Sequence, residues 1–116
     1  MTDLVACLSS GKGTWSDVAA IIKAENWDRV FLITNDFGKE NFSADADFIL
    51  VNSFQDISKL KSDLVSIFKD KRLSFEVAAH LVSGTGKEHM AIISALFELG
   101  KGIRLVTSEN DSLVLL

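Results

Sequence analysis

Two short segments concentrate groups that can hold a phosphate. Ser9-Ser10-Gly11-Lys12-Gly13-Thr14 and Ser83-Gly84-Thr85-Gly86-Lys87 each combine glycines, hydroxyls and one lysine. Glycine lets the backbone approach a ligand closely, free amides at a helix N-terminus favour an anion, and lysine adds a point charge. Hydroxyls add orientable donors. Together these turns would cradle a phosphate-bearing ligand, with Ser9, Ser10, Gly11 and Lys12 contributed by the first and Ser83, Gly84, Thr85, Gly86 and Lys87 by the second. The plainer reading is that the glycines only make tight turns and the lysines are solvated, because short glycine motifs are weak evidence. A third segment, Thr34-Asn35-Asp36, follows a β-rich run. Thr34 and Asn35 would open on the same edge, Asn35 as a reader of a base edge. Asp36 serves equally well as an acceptor for a ribose hydroxyl or as a helix cap.

Positioning these groups is the task of the elements around them. Leu4 to Leu8 is a short apolar run that reads as a strand, and Val18, Ile21 and Ile22 then recur at helical spacing. Thr14 or Ser16 would cap that helix, with Asp17 in its first turn. Arg29 to Thr34 and Phe48 to Val51 read as buried strands, and Asn35 to Asp45 holds at most a short helix. A long amphipathic helix is expected from about Phe54 to Lys69, with the stripe Phe54, Ile57, Leu60, Leu64, Ile67 and Phe68, and a capping box at Ser53 and Asp56. Phe75 to Val82 is the fourth strand and Glu88 to Leu99 the next helix, ended by Gly100 or Gly102. Ile103 to Thr107 follows, and Ser112 to Leu116 returns through an Asn110-Asp111 turn as an antiparallel edge strand. Alternation of this kind predicts an α/β fold: a three-layer Rossmann-like sandwich around a mostly parallel sheet of about six strands. Ligands of such sheets lie outside the carboxyl ends of the strands, where both glycine turns fall.

Composition narrows the function classes. With 116 residues the chain is expected to form one domain over 1–116, and 12 basic against 16 acidic residues give a net charge of −4. That balance speaks against duplex DNA as a partner, since phosphate neutralisation needs a surplus of lysine and arginine. A hydrophobic share of 47% and a mean hydropathy of +0.24 fit strands buried on both faces and a subunit interface, and rule out disorder. No apolar run reaches the ~20 residues of a membrane span, so no membrane partner is expected. Met1-Thr2-Asp3 offers no basic leader, which makes the expected location cytoplasmic. The single cysteine, Cys7, reads as apolar filler in the first strand, and neither a disulfide, a metal site nor a cofactor is implied. His80 is either a hydrogen-bonded core histidine or a contact at the pocket floor, and His89 lies beside the second turn. Trp15 follows the first turn, where it would pack into the core or stack on a base.

A third strand followed by Val51-Asn52-Ser53-Phe54 and a long helix, then a strand ending in Ser83-Gly84-Thr85-Gly86-Lys87 before the Met90-Ala91 helix, resembles the CARF (CRISPR-associated Rossmann fold) family. That family carries a Thr/Ser-Gly-Gly-Thr-Lys type motif after its fourth strand and a Ser/Thr-bearing loop after its first. In this chain the middle glycine and threonine are exchanged, and Met90 comes one residue later. The resemblance implies a homodimer with one shared pocket for a cyclic oligoadenylate or related nucleotide. Ser9 or Ser10 would match the first-loop hydroxyl, and Ser83, Gly84, Thr85 and Lys87 the second motif. Some members cleave their ligand without metal, a ribose 2′-OH attacking the adjacent phosphodiester; in that case Lys87 would stabilise charge on phosphorus and Ser10 would orient the ribose or phosphate. With no effector domain visible, such a sensor would act on its ligand or through an effector protein partner.

Two other classes compete. One is a non-catalytic interaction module whose apolar surface serves assembly. The other is a degenerate P-loop enzyme, since Gly11-Lys12-Gly13-Thr14 matches the end of a phosphate-binding loop, although Ala6 stands where its first glycine is expected.

Overall fold

The computed structural model describes residues 2–116; Met1, used above in reading the amino terminus, lies outside them. Strand β1 is Asp3–Cys7, followed by a 3-10 turn at Lys12–Thr14 and helix α1 at Trp15–Ala24. Next come β2 (Val30–Thr34), α2 (Asp36–Asn41), β3 (Asp47–Leu50) and α3 (Ile57–Lys71). The chain closes with β4 (Glu76–His80), α4 (Gly86–Glu98), β5 (Gly102–Glu109) and β6 (Ser112–Leu115). The strands form one six-stranded sheet in the order β3-β2-β1-β4-β5-β6. All neighbours are parallel except β5 and β6, as the sequence pattern anticipates.

Alternate residues of each strand feed cores on opposite faces. Val5, Cys7, Phe31, Ile33 and Val77 meet Leu60, Leu64 and Phe68 of α3 and Ile92 and Leu96 of α4. On the other face Leu4, Ala6, Leu8 and Leu32 meet Val18 and Ile21 of α1, with Phe42 after α2. Three layers result, because strands covered on both sides must be apolar at successive positions. The chain runs outward from β1 to β3 in one direction and from β4 to β5 in the other, so the order reverses between β1 and β4. There the connections leaving two adjacent strands run to opposite faces of the sheet, to α1 on one and α4 on the other, the place where ligands of such sheets bind.

Several boundaries differ from the sequence pattern for identifiable reasons. Helix α3 starts at Ile57 with Asp56 as its N-cap residue and no side-chain cap bond, so Phe54 lies outside the helix and is 98% exposed. Ser53 is engaged elsewhere and forms no capping box with Asp56. Thr14 makes no cap bond to α1 either. Helix α4 instead carries a full capping box, Thr85 with Glu88, and so begins two residues earlier than the apolar spacing suggests. Gly100 (φ +70°) ends it, and Asn110 (φ 52°) and Asp111 (φ 62°) supply the left-handed pair of the β5–β6 hairpin. The short α2 survives Gly38 because Asn35 caps it through Gly38 N–H at 3.0 Å, and a Cβ at Gly38 would overlap Thr34 Oγ1.

At the opposite end of the sheet, the buried Asp3 carboxylate fixes the start of β1. Arg29 Nε donates to Oδ1 (3.1 Å) and Nη2 to Oδ2 (2.7 Å), while Ser74 N–H donates to Oδ2 (2.8 Å). Arg29 also donates to the Lys71 and Arg72 carbonyls, tying the C-terminus of α3 to the same corner. None of the helices among the described residues is long and apolar enough to cross a membrane.

Candidate functional site

The first glycine turn leaves β1 and the second leaves β4, and one buried side chain joins them. Ser83 is fully buried; its Oγ accepts Ser9 N–H at 2.9 Å and the Thr14 hydroxyl at 2.7 Å. Its carbonyl lies 2.8 Å from His89 Nε2, which as the N–H tautomer donates to it. Gly84, at φ +105°, brings the chain so close to β1 that a Cβ there would overlap Cys7 Sγ. Burial, with Glu88 nearby, pushes the Cys7 thiol well above its ordinary pKa, so it is an apolar wedge rather than a nucleophile.

In front of this junction, at the carboxyl ends of β1, β2 and β3 and the first turn of α4, lies a cavity of about 630 Å³. It is lined by Leu8, Ser9, Ser10, Thr34, Asn35, Val51, Asn52, Ser53, Phe54, Thr85, Lys87 and Glu88. Its size falls within the roughly 300–1,000 Å³ of small-molecule sites. A second concavity of about 340 Å³ at the other end of the sheet is lined by Trp27, Glu76, Arg104 and Leu113 among others, and neither glycine turn reaches it. The switch-point cavity is therefore the candidate.

Of the residues expected to meet a ligand, Ser9, Ser10, Thr34, Asn35, Thr85 and Lys87 converge on this cavity, while Gly11, Lys12, Ser83, Gly84 and Gly86 do not line it. Their hydrogen bonds divide those that converge. Thr34 Oγ1 donates to the Leu8 carbonyl at 2.8 Å and Ser9 Oγ to the Gly11 carbonyl at 2.8 Å, so both hydroxyls already serve the fold. Asn35 spends its carbonyl oxygen on capping α2 and presents its amide donors. Ser10 and Lys87 make no hydrogen bond or ion pair with described residues, which leaves an uncommitted hydroxyl and ammonium at the cavity. Lys12 faces away, with its Nζ 5.6 Å from the Trp15 ring and 5.8 Å from the Phe37 ring. Trp15 packs edge-on against Phe42 and donates from Nε1 to the Ser9 carbonyl at 2.7 Å; it braces the first turn from behind.

His80 is not at the pocket floor. It is fully buried on the α1 side of β4, and neither ring nitrogen has a hydrogen-bond partner among the described residues. Burial lowers its pKa, partly opposed by Asp17, so the ring is neutral at pH 7.

Glu88 joins the site without an expectation from the sequence. Almost fully buried, it accepts Thr85 N–H at 2.9 Å on Oε1 and the Ser53 hydroxyl at 2.5 Å on Oε2. The β3–α3 loop is thereby fastened to the N-terminus of α4. The Thr85-x-x-Glu88 spacing signals the capping half of this role; the bond to Ser53, 35 residues distant, has no local signature.

No family model and no curated protein matches the chain. Solved structures do. Can2 from Sulfobacillus thermosulfidooxidans in complex with cyclic tetra-adenylate superposes with a TM-score of 0.66 at 13% identity, over 100% of this chain and 35% of that one. The fold is CARF-like. Protein VC1899 from Vibrio cholerae is similar with a TM-score of 0.59 at 16% identity, over 99% of this chain and 33% of that one. Csm6 from Enterococcus italicus, bound to cyclic hexa-2′-fluoro-hexa-dAMP, gives 0.59 at 14% identity, over 98% of this chain and 35% of that one. The chain thus spans about a third of the length of the solved structures it matches.

Proposed function

We propose that this CARF-like chain senses a cyclic oligoadenylate, bound in a pocket that two copies build together. The observation that carries the reading is the convergence of both glycine turns on one cavity at the switch point, with Ser10 and Lys87 free of partners among the described residues. Similar structures hold cyclic tetra-adenylate and a cyclic hexa-adenylate analogue, which supports a ligand of this class. Lys87 meets a phosphate as a point charge, and Ser10 and the Asn35 amide donate to phosphate or base.

A two-fold partner is supported by α4. Met90 and Phe97 are 65% and 68% exposed and share an apolar face with Ile93, starting one turn from Lys87. A second copy packed there would bring the two Lys87 residues to a common axis. The same pair suits cleavage: a ribose 2′ oxygen bonds to the adjacent phosphorus, the P–O5′ bond breaks, and the 2′ proton is lost as the 5′ oxygen gains one. Lys87 would stabilise the charged phosphorane and Ser10 would hold the ribose in line.

Calorimetric titration with cyclic tetra- and hexa-adenylate, followed by chromatography of the recovered ligand, tests the reading. One ring per two chains is expected, weakened about 10- to 100-fold in Lys87→Ala as for a lost charge-assisted contact, and little changed in Lys12→Ala. Recovered ligand ending in a 2′,3′-cyclic phosphate supports cleavage, whereas intact ligand leaves a sensor only. Absence of binding to either ring overturns the ligand assignment and favours the interaction module. Mg²⁺-dependent nucleotide binding lost in Lys12→Ala favours the P-loop alternative.

A further inference from the structure

Phe54 departs furthest from what its side chain prefers. It is 98% exposed, on the loop between β3 and α3 and at the rim of the candidate cavity. The loop is held in place by the two residues before Phe54. Asn52 Oδ1 accepts Phe54 N–H at 3.0 Å, and Ser53 donates to the buried Glu88. The ring is therefore presented to solvent by a pinned backbone, with no apolar neighbour taking it into the core.

The rest of the cavity shows what that ring adds. Ser10, Asn35, Asn52 and Lys87 supply donors and charge suited to phosphate, ribose and base edges, and none of them offers a flat apolar surface. Trp15 is excluded from the task by its bond to the Ser9 carbonyl and its packing against Phe42. A nucleotide entering the cavity brings both a phosphate and a flat aromatic face, and among the aromatic rings only Phe54 lines this space. We propose that Phe54 is the platform on which one nucleobase of the bound nucleotide stacks, an inference that rests on the nucleotide reading above and names the residue that receives the base. Stacking of this kind tolerates any base, because each has a π-face; discrimination falls to the Asn35 and Asn52 amides around it.

Two measurements decide the matter. Calorimetry with cyclic tetra-adenylate compares wild type with Phe54→Ala and Phe54→Leu. Because the ring is exposed, both variants keep the wild-type unfolding midpoint. Phe54→Ala is expected to weaken binding by about 5- to 100-fold, the range for removing one base-stacking aromatic, and Phe54→Leu to recover little of it. Separately, the fluorescence of Phe54→Trp is titrated with adenosine 5′-monophosphate and with ribose 5-phosphate, taking wild type, with its two tryptophans, as the baseline. Quenching by the base-bearing ligand alone supports stacking, even where wild type takes up no ring and the cyclic oligoadenylate reading itself fails. Ring binding unchanged in Phe54→Ala, full recovery in Phe54→Leu, equal quenching by both probes or no quenching overturns the proposal. So does a Phe54→Ala variant that changes only the oligomeric state.

Discussion

Replacing Gly84 by alanine tests whether the second turn is wedged against β1. At φ +105° an alanine is strained whatever the space around it, and holding it there costs about 1–3 kcal/mol. The new Cβ overlaps Cys7 Sγ and lies 3.1 Å from His89 Nε2, the atom bonded to the Ser83 carbonyl. Forcing a carbon into such a contact costs roughly another 1–3 kcal/mol. The sum, about 2–6 kcal/mol, is a large part of the roughly 5–15 kcal/mol that holds a small fold together. Cys7→Ala removes the overlapping sulfur and leaves the backbone strain. Gly84→Ala should therefore cost about 1–2 kcal/mol less in the Cys7→Ala background than in wild type, a coupling expected only of residues in contact. Urea unfolding followed by far-UV circular dichroism gives all four corners of the cycle. The same cost in both backgrounds, or a cost in wild type below about 0.5 kcal/mol, refutes the wedge. Where the variant remains folded, ring affinity should fall with stability, since Thr85 and Lys87 leave the same turn.

Two other predictions concern buried ionisable groups. Burial opposes ionisation of the Asp3 carboxyl, but the hydrogen bonds from Arg29 and Ser74 and the charge of Arg29 outweigh it, and its pKa stays below 3.8. Its contribution is therefore full above that value and is lost as pH falls through the folded pKa. Asp3→Ala should cost about 2–3 kcal/mol at pH 7, less than for a fully buried pair because Arg29 is half-exposed; urea midpoints measured from pH 7 to 2.5 should drop less steeply in the variant, and parallel curves would refute the assignment. His80 has the opposite chemistry: its folded pKa lies below 6.5, so the neutral ring's contribution is full above 6.5 and is lost as pH falls below it. His80→Leu, which removes two unpaired polar atoms, should raise stability by about 1 kcal/mol at pH 7 and flatten the loss between pH 6.5 and 5. A destabilised variant at both pH values would show that the ring has a partner.

Most of the scaffold was legible because each strand is covered on both faces and each long helix on one. Runs such as Val30–Thr34 and stripes such as Leu60, Leu64 and Phe68 must then appear in the sequence as continuous or periodic apolar character. Six strands, the antiparallel last pair and the Asn110-Asp111 turn follow from that and from turn chemistry. Phe54 misled because its spacing continues the α3 stripe, and spacing carries no information on where a helix begins when the cap is silent. Glycine composition drew attention to both turns, yet it could not separate Lys87, at the cavity, from Lys12, drawn towards Trp15 and Phe37. Glu88 escaped notice, and Ser83 was read as a ligand group rather than as a tie between the turns, for one shared reason: their partners lie 35 and 69–74 residues away, and no local pattern encodes such a meeting.

The Ser83 junction also limits how the chain can vary over generations. Its hydroxyl oxygen holds Ser9 and Thr14 at fixed reach. Inserting or deleting a residue in either glycine turn would break a bond to the other, so the two must keep their lengths in concert. New ligand preferences therefore have to arise by exchange of side chains on these turns. Growth by insertion is left to the β3–α3 loop, whose link to the rest of the site runs through Ser53 and Glu88.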